Sequence, residues 1–246
     1  MRIRQFLAAL LMSAVASTAH ANSFSIFAGD RGHYDFDGTT YTNNGRGPSN
    51  GYGVGKGGGV LQENWFLFDL RYMTGTVTGA SLLIYADGAT TYNSLDLSET
   101  WAINRIDVTN PTVLGTNQTS AFNSAVFADL ADGVTYATQD FSAGVGGAPV
   151  SIALGGGAEA DIQAMFGGYF AIGGHLTNLG GPGPQKIFSN TSGAMATVQL
   201  VLTGDNVQNL MPPPESGPGP VPEPASLSLL GSGLAGLAAL GRRSRR

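Results

Sequence analysis

Cysteine is absent from the 246 residues. That excludes disulfides, thiolate metal centres and a cysteine nucleophile, so stability has to come from the packed core. Charge is scarce as well: Asp, Glu, Lys and Arg together make up 12% of the chain. Basic residues are the scarcer sign, and six of the twelve lie at the ends, at Arg2, Arg4, Arg242, Arg243, Arg245 and Arg246. Residues 22–224 therefore carry six basic and seventeen acidic side chains, a net of −11. Such a surface excludes nucleic acid, whose phosphates require cationic neutralisation. Cations, neutral glycans and other matrix polymers stay open as partners.

Catalytic signatures are missing too. Outside the first twenty residues the histidines are His33 and His175, 142 positions apart. Neither has a G-x-S-x-G elbow or an H-E-x-x-H helix beside it, so both read as loop or sandwich-rim histidines. The glycine-rich stretches 45–47 and 51–59 lack the G-K-[ST] ending of a phosphate loop, because Lys56 is followed by Gly57 and Gly58. A glycosidase needs two carboxylates across a cleft. Glu63, Asp69, Asp96 and Glu99 could supply them, but their spacing places no pair.

The two ends carry the clearest patterns. Arg2 and Arg4 precede an apolar stretch over residues 6–15, and Ala19-His20-Ala21 is a small-x-small cleavage site. This is a secretory signal peptide over residues 1–21, cut before Asn22. At the other end Val221-Pro222-Glu223-Pro224 leads into the uncharged run 225–241 and then into Arg242, Arg243, Arg245 and Arg246. As a helix the run measures about 26 Å, close to the roughly 30 Å hydrocarbon core, with the arginines retained on the cytoplasmic side. Topology alone allows a lasting anchor or a temporary one. Two prolines bracketing Glu223 hold an extended segment that a processing enzyme can thread. The order of proline-bracketed glutamate, apolar run and basic end resembles the PEP-CTERM sorting signal of Gram-negative bacteria. The resemblance implies an exosortase-type processing enzyme, a transient inner-membrane tether, loss of the helix, and export to the cell surface or extracellular matrix.

Between the ends, apolar alternation predicts short strands at 23–28, 63–70, 76–86, within 95–107 around Trp101, Ile103 and Ile106, and at 125–130, 135–141, 148–154, 169–172 and 194–203. In 63–70 the alternation sends Phe66, Phe68 and Leu70 to a core face and Trp65, Leu67 and Asp69 to a wetter one. Residues 29–59 read as a long loop, and 158–165 is the one helical candidate. The expected fold is all-β, an antiparallel β-sandwich with one short helix, flanked by an N-terminal signal helix and a C-terminal transmembrane helix. The sandwich covers 22–204, a Pro/Gly-rich linker 205–220, and the sorting signal 221–246.

Asn64, Phe66, Phe68-Asp69-Leu70, Gly75-Thr76-Val77-Thr78, Ala80, Leu82 and Tyr85 resemble the core of secreted jelly-roll domains related to carbohydrate-binding modules. That resemblance implies a jelly roll. Two site readings sit in the glycine-rich segment. Asp30, Asp35 and Asp37 are either ligands for a structural Ca²⁺, which favours oxygen donors on adaptable backbone, or a solvated acidic loop. Tyr34, Phe36, Tyr41 and Tyr52 either stack on sugars, with Asn43, Asn44 and Asn50 hydrogen bonding, or pin the loop to the sandwich. The expected function is a non-enzymatic surface or biofilm-matrix protein associated with exopolysaccharide. The alternative is a polysaccharide-active hydrolase or lyase.

Overall fold

The computed structural model describes residues 21–44, 47, 50–86, 92–116, 118–143, 148–189 and 198–211. The chain divides into two units, Met1–Leu210 and Met211–Arg246, and the described strands and helices all belong to the first. Its strands are β1 (Ala21–Phe36), β2 (Tyr41–Asn44), β3 (Val54–Gly57), β4 (Val60–Asp69), β5 (Met73–Ala86), β6 (Asn93–Ser94), β7 (Ser98–Arg105), β8 (Thr135–Ser142), β9 (Ala148–Leu154), β10 (Tyr169–Leu176), β11 (Gln185–Ile187) and β12 (Val198–Asn209). Two helices, α1 (Ser120–Asp132) and α2 (Ala158–Ala164), and a 3₁₀ turn at Pro111–Gly115 complete the described elements.

Every pairing is antiparallel and the strands form two layers. The first sheet runs β1–β12–β5–β9, and the second runs β1–β4–β10–β7–β8, with β2 on the outer side of β1 and β3–β11–β6 extending from β4. β1 serves both sheets. Residues 21–27 pair with β12, and after a bulge between Ala28 and Asp30 the rest pairs with β4 and β2. At the opposite edge the amide of Gly155 donates to the Tyr136 carbonyl at 2.8 Å, drawing the end of β9 to β8. Between the sheets Phe66, Phe68, Leu70, Leu82, Ile84, Leu200 and Leu202 are fully buried. Each such side chain contributes about 1.5–3 kcal/mol by leaving water.

Several sequence expectations are corrected by long-range pairing. The predicted loop over 29–59 contains β2, β3 and the second half of β1. Asp30, Gly32 and Asp35 are poor strand formers, but all three pair with β4, and cross-strand pairing outweighs local propensity. The strand expected at 125–130 is part of α1, so the described residues hold two helices where one was expected. Six residues cannot separate a period of 2 from one of 3.6. The buried set Asn123, Val126, Phe127 and Leu130 follows the helical spacing, and the Thr119 side chain caps the start by accepting from the Phe122 amide. The supposedly wetter face of β4 is also buried: Trp65 and Leu67 lie under α1 and the 3₁₀ turn with Tyr34, Leu114, Val126 and Leu130. At the C-terminal side β12 continues through Asp205, which pairs with Ala21, to Asn209, so residues 205–209 belong to the sheet and not to the linker. The α2 helix lies where the sequence placed it. The signal helix, residues 212–220 of the linker and the C-terminal transmembrane helix lie outside the described residues.

Candidate functional site

Because β1 continues to Phe36, alternation turns Tyr34 and Phe36 toward α1. Tyr34 and Tyr52 are fully buried, which removes them as a platform for sugars. The Tyr34 hydroxyl donates to the Leu114 carbonyl at 3.3 Å, and burial raises its pKa. The Tyr52 hydroxyl donates to the Tyr85 carbonyl at 3.1 Å, with the Arg31 guanidinium 5.1 Å from the ring centroid. Tyr41 is half-buried and stacks on Phe36 at 4.4 Å, with Phe127 edge-on. Tyr34, Phe36 and Tyr41 pin β1 and β2 beneath α1, while Tyr52 packs on Phe66 and Phe188 in the inter-sheet core, in line with the pinning role and not the sugar-stacking one.

The three aspartates are not brought together. Asp30 is registered with Leu67 and Asp35 with Gln62, so they point to opposite faces of the sheet. Asp30 accepts from the amides of Arg31 and Gly47. Asp35 accepts from Gln62 at 2.9 Å and from Asn44, and lies 3.4 Å from His33 Nε2. Asp37 closes a turn by accepting from the amides of Thr39 and Thr40, which holds its carboxyl below the usual range. Among the described residues no group of three or more His, Cys, Asp or Glu side chains could hold a metal ion.

The histidines sit on opposite faces of the second sheet. His33 is registered with Asn64, which bonds the Tyr52 carbonyl, whereas His175 turns toward α1. His175 Nδ1 is 3.3 Å from the Leu130 carbonyl and 3.2 Å from Asn104 Nδ2. Burial lowers the pKa of both histidines, although Asp35 pulls His33 back up. Of the four carboxylates weighed for hydrolysis, Glu63 is 4% exposed. Burial, with the negative charge of Asp132, pushes its carboxyl up to about 9, and its Oε2 has no partner. Glu99 is fully buried and its carboxyl is raised by burial, against a hydrogen bond from Ser94. Asp69 is held low by a bidentate pair with Arg71, at 2.7 Å for the closest contact. Asp96 accepts from Gln185.

A cleft the sequence did not indicate lies where β7 ends, beside β10 and α2, with a cavity of about 300 Å³. Its centre is Arg105. The guanidinium holds Asp107 with Nε at 2.7 Å and Nη2 at 2.8 Å, and reaches Asp161 of α2 with Nη1 at 3.5 Å. The Tyr136 hydroxyl donates to the same Asp161 oxygen at 2.7 Å, and Asp129 accepts from the Asp107 amide at 2.5 Å. Hydrogen bonding to Asp107 raises the pKa of Arg105, so the fork stays charged. Thr109, Tyr169 and Met165, the last 46% exposed, supply the remaining hydroxyls and an apolar wall. The cleft thus offers fixed, charged hydrogen-bonding groups beside an accessible thioether. The spacing Arg105-x-Asp107 was the one available signal, in a domain with only six basic side chains.

Ala21 opens β1, so the expected cut before Asn22 would remove a single strand residue. Ala19, Val221-Pro222-Glu223-Pro224 and the four terminal arginines lie outside the described residues. Among the described residues no helix is long and apolar enough to cross a membrane. Residues 220–246 match the PEP-CTERM protein-sorting motif. The motif indicates an exported protein, sorted by an exosortase through a membrane-anchored intermediate. No curated protein matches the chain.

Proposed function

We propose that this is a non-enzymatic component of the cell surface or extracellular matrix of a Gram-negative bacterium, holding exopolysaccharide on a jelly-roll domain. The sorting motif supports the destination. The sheet orders β1–β12–β5–β9 and β4–β10–β7–β8 support the jelly-roll reading, since two interleaved Greek keys give this alternation of early and late strands. The observation that carries the glycan reading is the cleft around Arg105. Carboxylates and a guanidinium locked in mutual ion pairs are preorganised to hydrogen-bond sugar hydroxyls, beside a wall suited to the C–H faces of a ring. Lectin-like holding is favoured over hydrolysis by the position of the protonated acid. Glu63 lies six residues along β4 from Asp69, the partner of Tyr169, or about 20 Å at the usual strand rise.

Affinity electrophoresis of the exported protein through gels containing the host's own exopolysaccharide tests this. Retention is expected, without release of reducing ends from the polymer. Free migration at every polymer concentration contradicts the binding, and polymer cleavage contradicts the non-enzymatic role.

A further inference from the structure

The outer face of the first sheet presents a different surface from the rest of the domain. Alternating with the core residues Ile26, Leu82, Ile152 and Leu200, the side chains of β1, β12, β5 and β9 that point away from the core fall into rows. One row is Ser25–Val201–Ser81–Ala153, and the next is Phe27–Gln199–Leu83–Ser151. Among the described residues, from the row of Ser23 and Thr203 to the pair Tyr85–Pro149, no side chain on this face is charged; Asp205 follows beyond Thr203 on β12. The other charged side chains of the described residues lie off these rows.

We infer that this face mates with the same face of a second copy of the chain. Two copies whose residues 22–224 each carry a net charge of −11 repel through most orientations, and face-to-face contact of the first sheets places no like charges directly opposite one another. The bulk on the face is also self-complementary. Phe27, 60% exposed, stands at the β1 edge, and the small residues Ser151 and Ala153 lie at the β9 edge three strands away. A two-fold axis running along the strands sets the Phe27 ring of each copy over Ser151 and Ala153 of the other. Short side chains between them allow the roughly 10 Å spacing of packed sheets. The footprint, four strands wide, is on the order of 400 Å² per copy, at the small end for specific association. The pairing is therefore concentration-dependent and strengthens wherever the sorting tail crowds copies together. With the Arg105 cleft outside this face, a pair presents two polymer-holding clefts.

Sedimentation equilibrium on the exported, detergent-free protein tests the pairing. The mass is expected to climb toward twice the monomer's with concentration, and more steeply at high salt, which screens the mutual repulsion within a Debye length of about 3 Å at 1 M. Ala153→Arg, at an exposed position, leaves the fold intact and returns the protein to monomer. The axis is checked by exploiting the absence of cysteine: an F27C variant mixed with an A153C variant should oxidise to a mixed dimer, while F27C alone should not. A monomer at all concentrations and salts overturns the inference, as does dimerisation that Ala153→Arg leaves unchanged. A wild-type protein that stays monomeric yet loses polysaccharide retention on Ala153→Arg would also overturn it, assigning the face to the polymer. Asp161→Asn should leave the pairing untouched, which separates failure of this inference from failure of the cleft.

Discussion

The two faces of β4 are covered by different kinds of partner. Phe66 and Phe68 meet a second sheet within the larger apolar cluster, and the buried polar groups on this face, Arg31 and Asn64, lie on the strands themselves. Trp65 and Leu67 meet a helix, and that cover brings polar groups with it. The end of α1 leaves the Leu130 carbonyl facing the sheet, where Asn104 Nδ2 donates to it at 2.8 Å. Glu63 is buried beyond Trp65 on this face with an unpartnered oxygen. Sheet-on-sheet contact needs only alternation. A helix laid on a sheet ends in free carbonyls that must find donors, so its interface is built from particular residues and is easier to upset.

The largest effect should come from the apolar face. Phe68→Ala is expected to cost about 3–5 kcal/mol of unfolding free energy, and Leu130→Ala on the helix side about 2–3 kcal/mol, both read from urea denaturation. Equal losses would erase the distinction between the faces.

Next is Gly173, where an added methyl would lie 1.9 Å from Leu130 Cδ2 and 2.6 Å from the Asn64 carbonyl oxygen. Gly173→Ala should push α1 off the sheet, costing about 1–3 kcal/mol and speeding amide exchange in α1 ahead of β12. Uniform exchange across both would contradict the separate helix layer.

Glu63 gives a pH test of the same layer. In the folded state it keeps its proton up to about 9, whereas unfolded it loses it near 4.3. Between those values the folded state holds one proton more, so stability falls as pH rises through the window. Glu63→Gln cannot ionise and should flatten that decline. By pH 9 the variant is expected to be the more stable of the two, by on the order of a few kcal/mol; identical pH profiles would remove Glu63 from the account.

The smallest effect on stability belongs to the cleft. Asp161→Asn leaves the melting temperature nearly unchanged, since its partly exposed ion pair at 3.5 Å contributes little and the amide oxygen still accepts from the Tyr136 hydroxyl, but lowers retention by exopolysaccharide severalfold. Unchanged retention would move the glycan site elsewhere.

The inner sandwich was legible because alternation marks residues that share a sheet face, and Phe66, Phe68, Leu82 and Ile84 all follow it into the core. The outer layer was not. Nothing local distinguishes Trp65 under a helix from Trp65 in water, and Asp69 at the strand end made that face look wet. Tyr34 was misplaced because the glycine- and aspartate-rich second half of β1 is a strand only through β4, and Tyr52 because its burial depends on Phe66 and Phe188, distant in sequence. The cleft depends on Arg105, Asp161 and Tyr136, which come from three elements distant in sequence. The sorting tail was readable in full, since its signal is linear.

The central claim is that the chain is exported and then cut free of its tail. Intact mass spectrometry of the protein recovered outside the cell tests it most directly. The predicted result is a single mature species beginning at Asn22 and ending near Pro222–Pro224. A species still carrying residues 225–241 and Arg246 would contradict it, making the tail a lasting anchor.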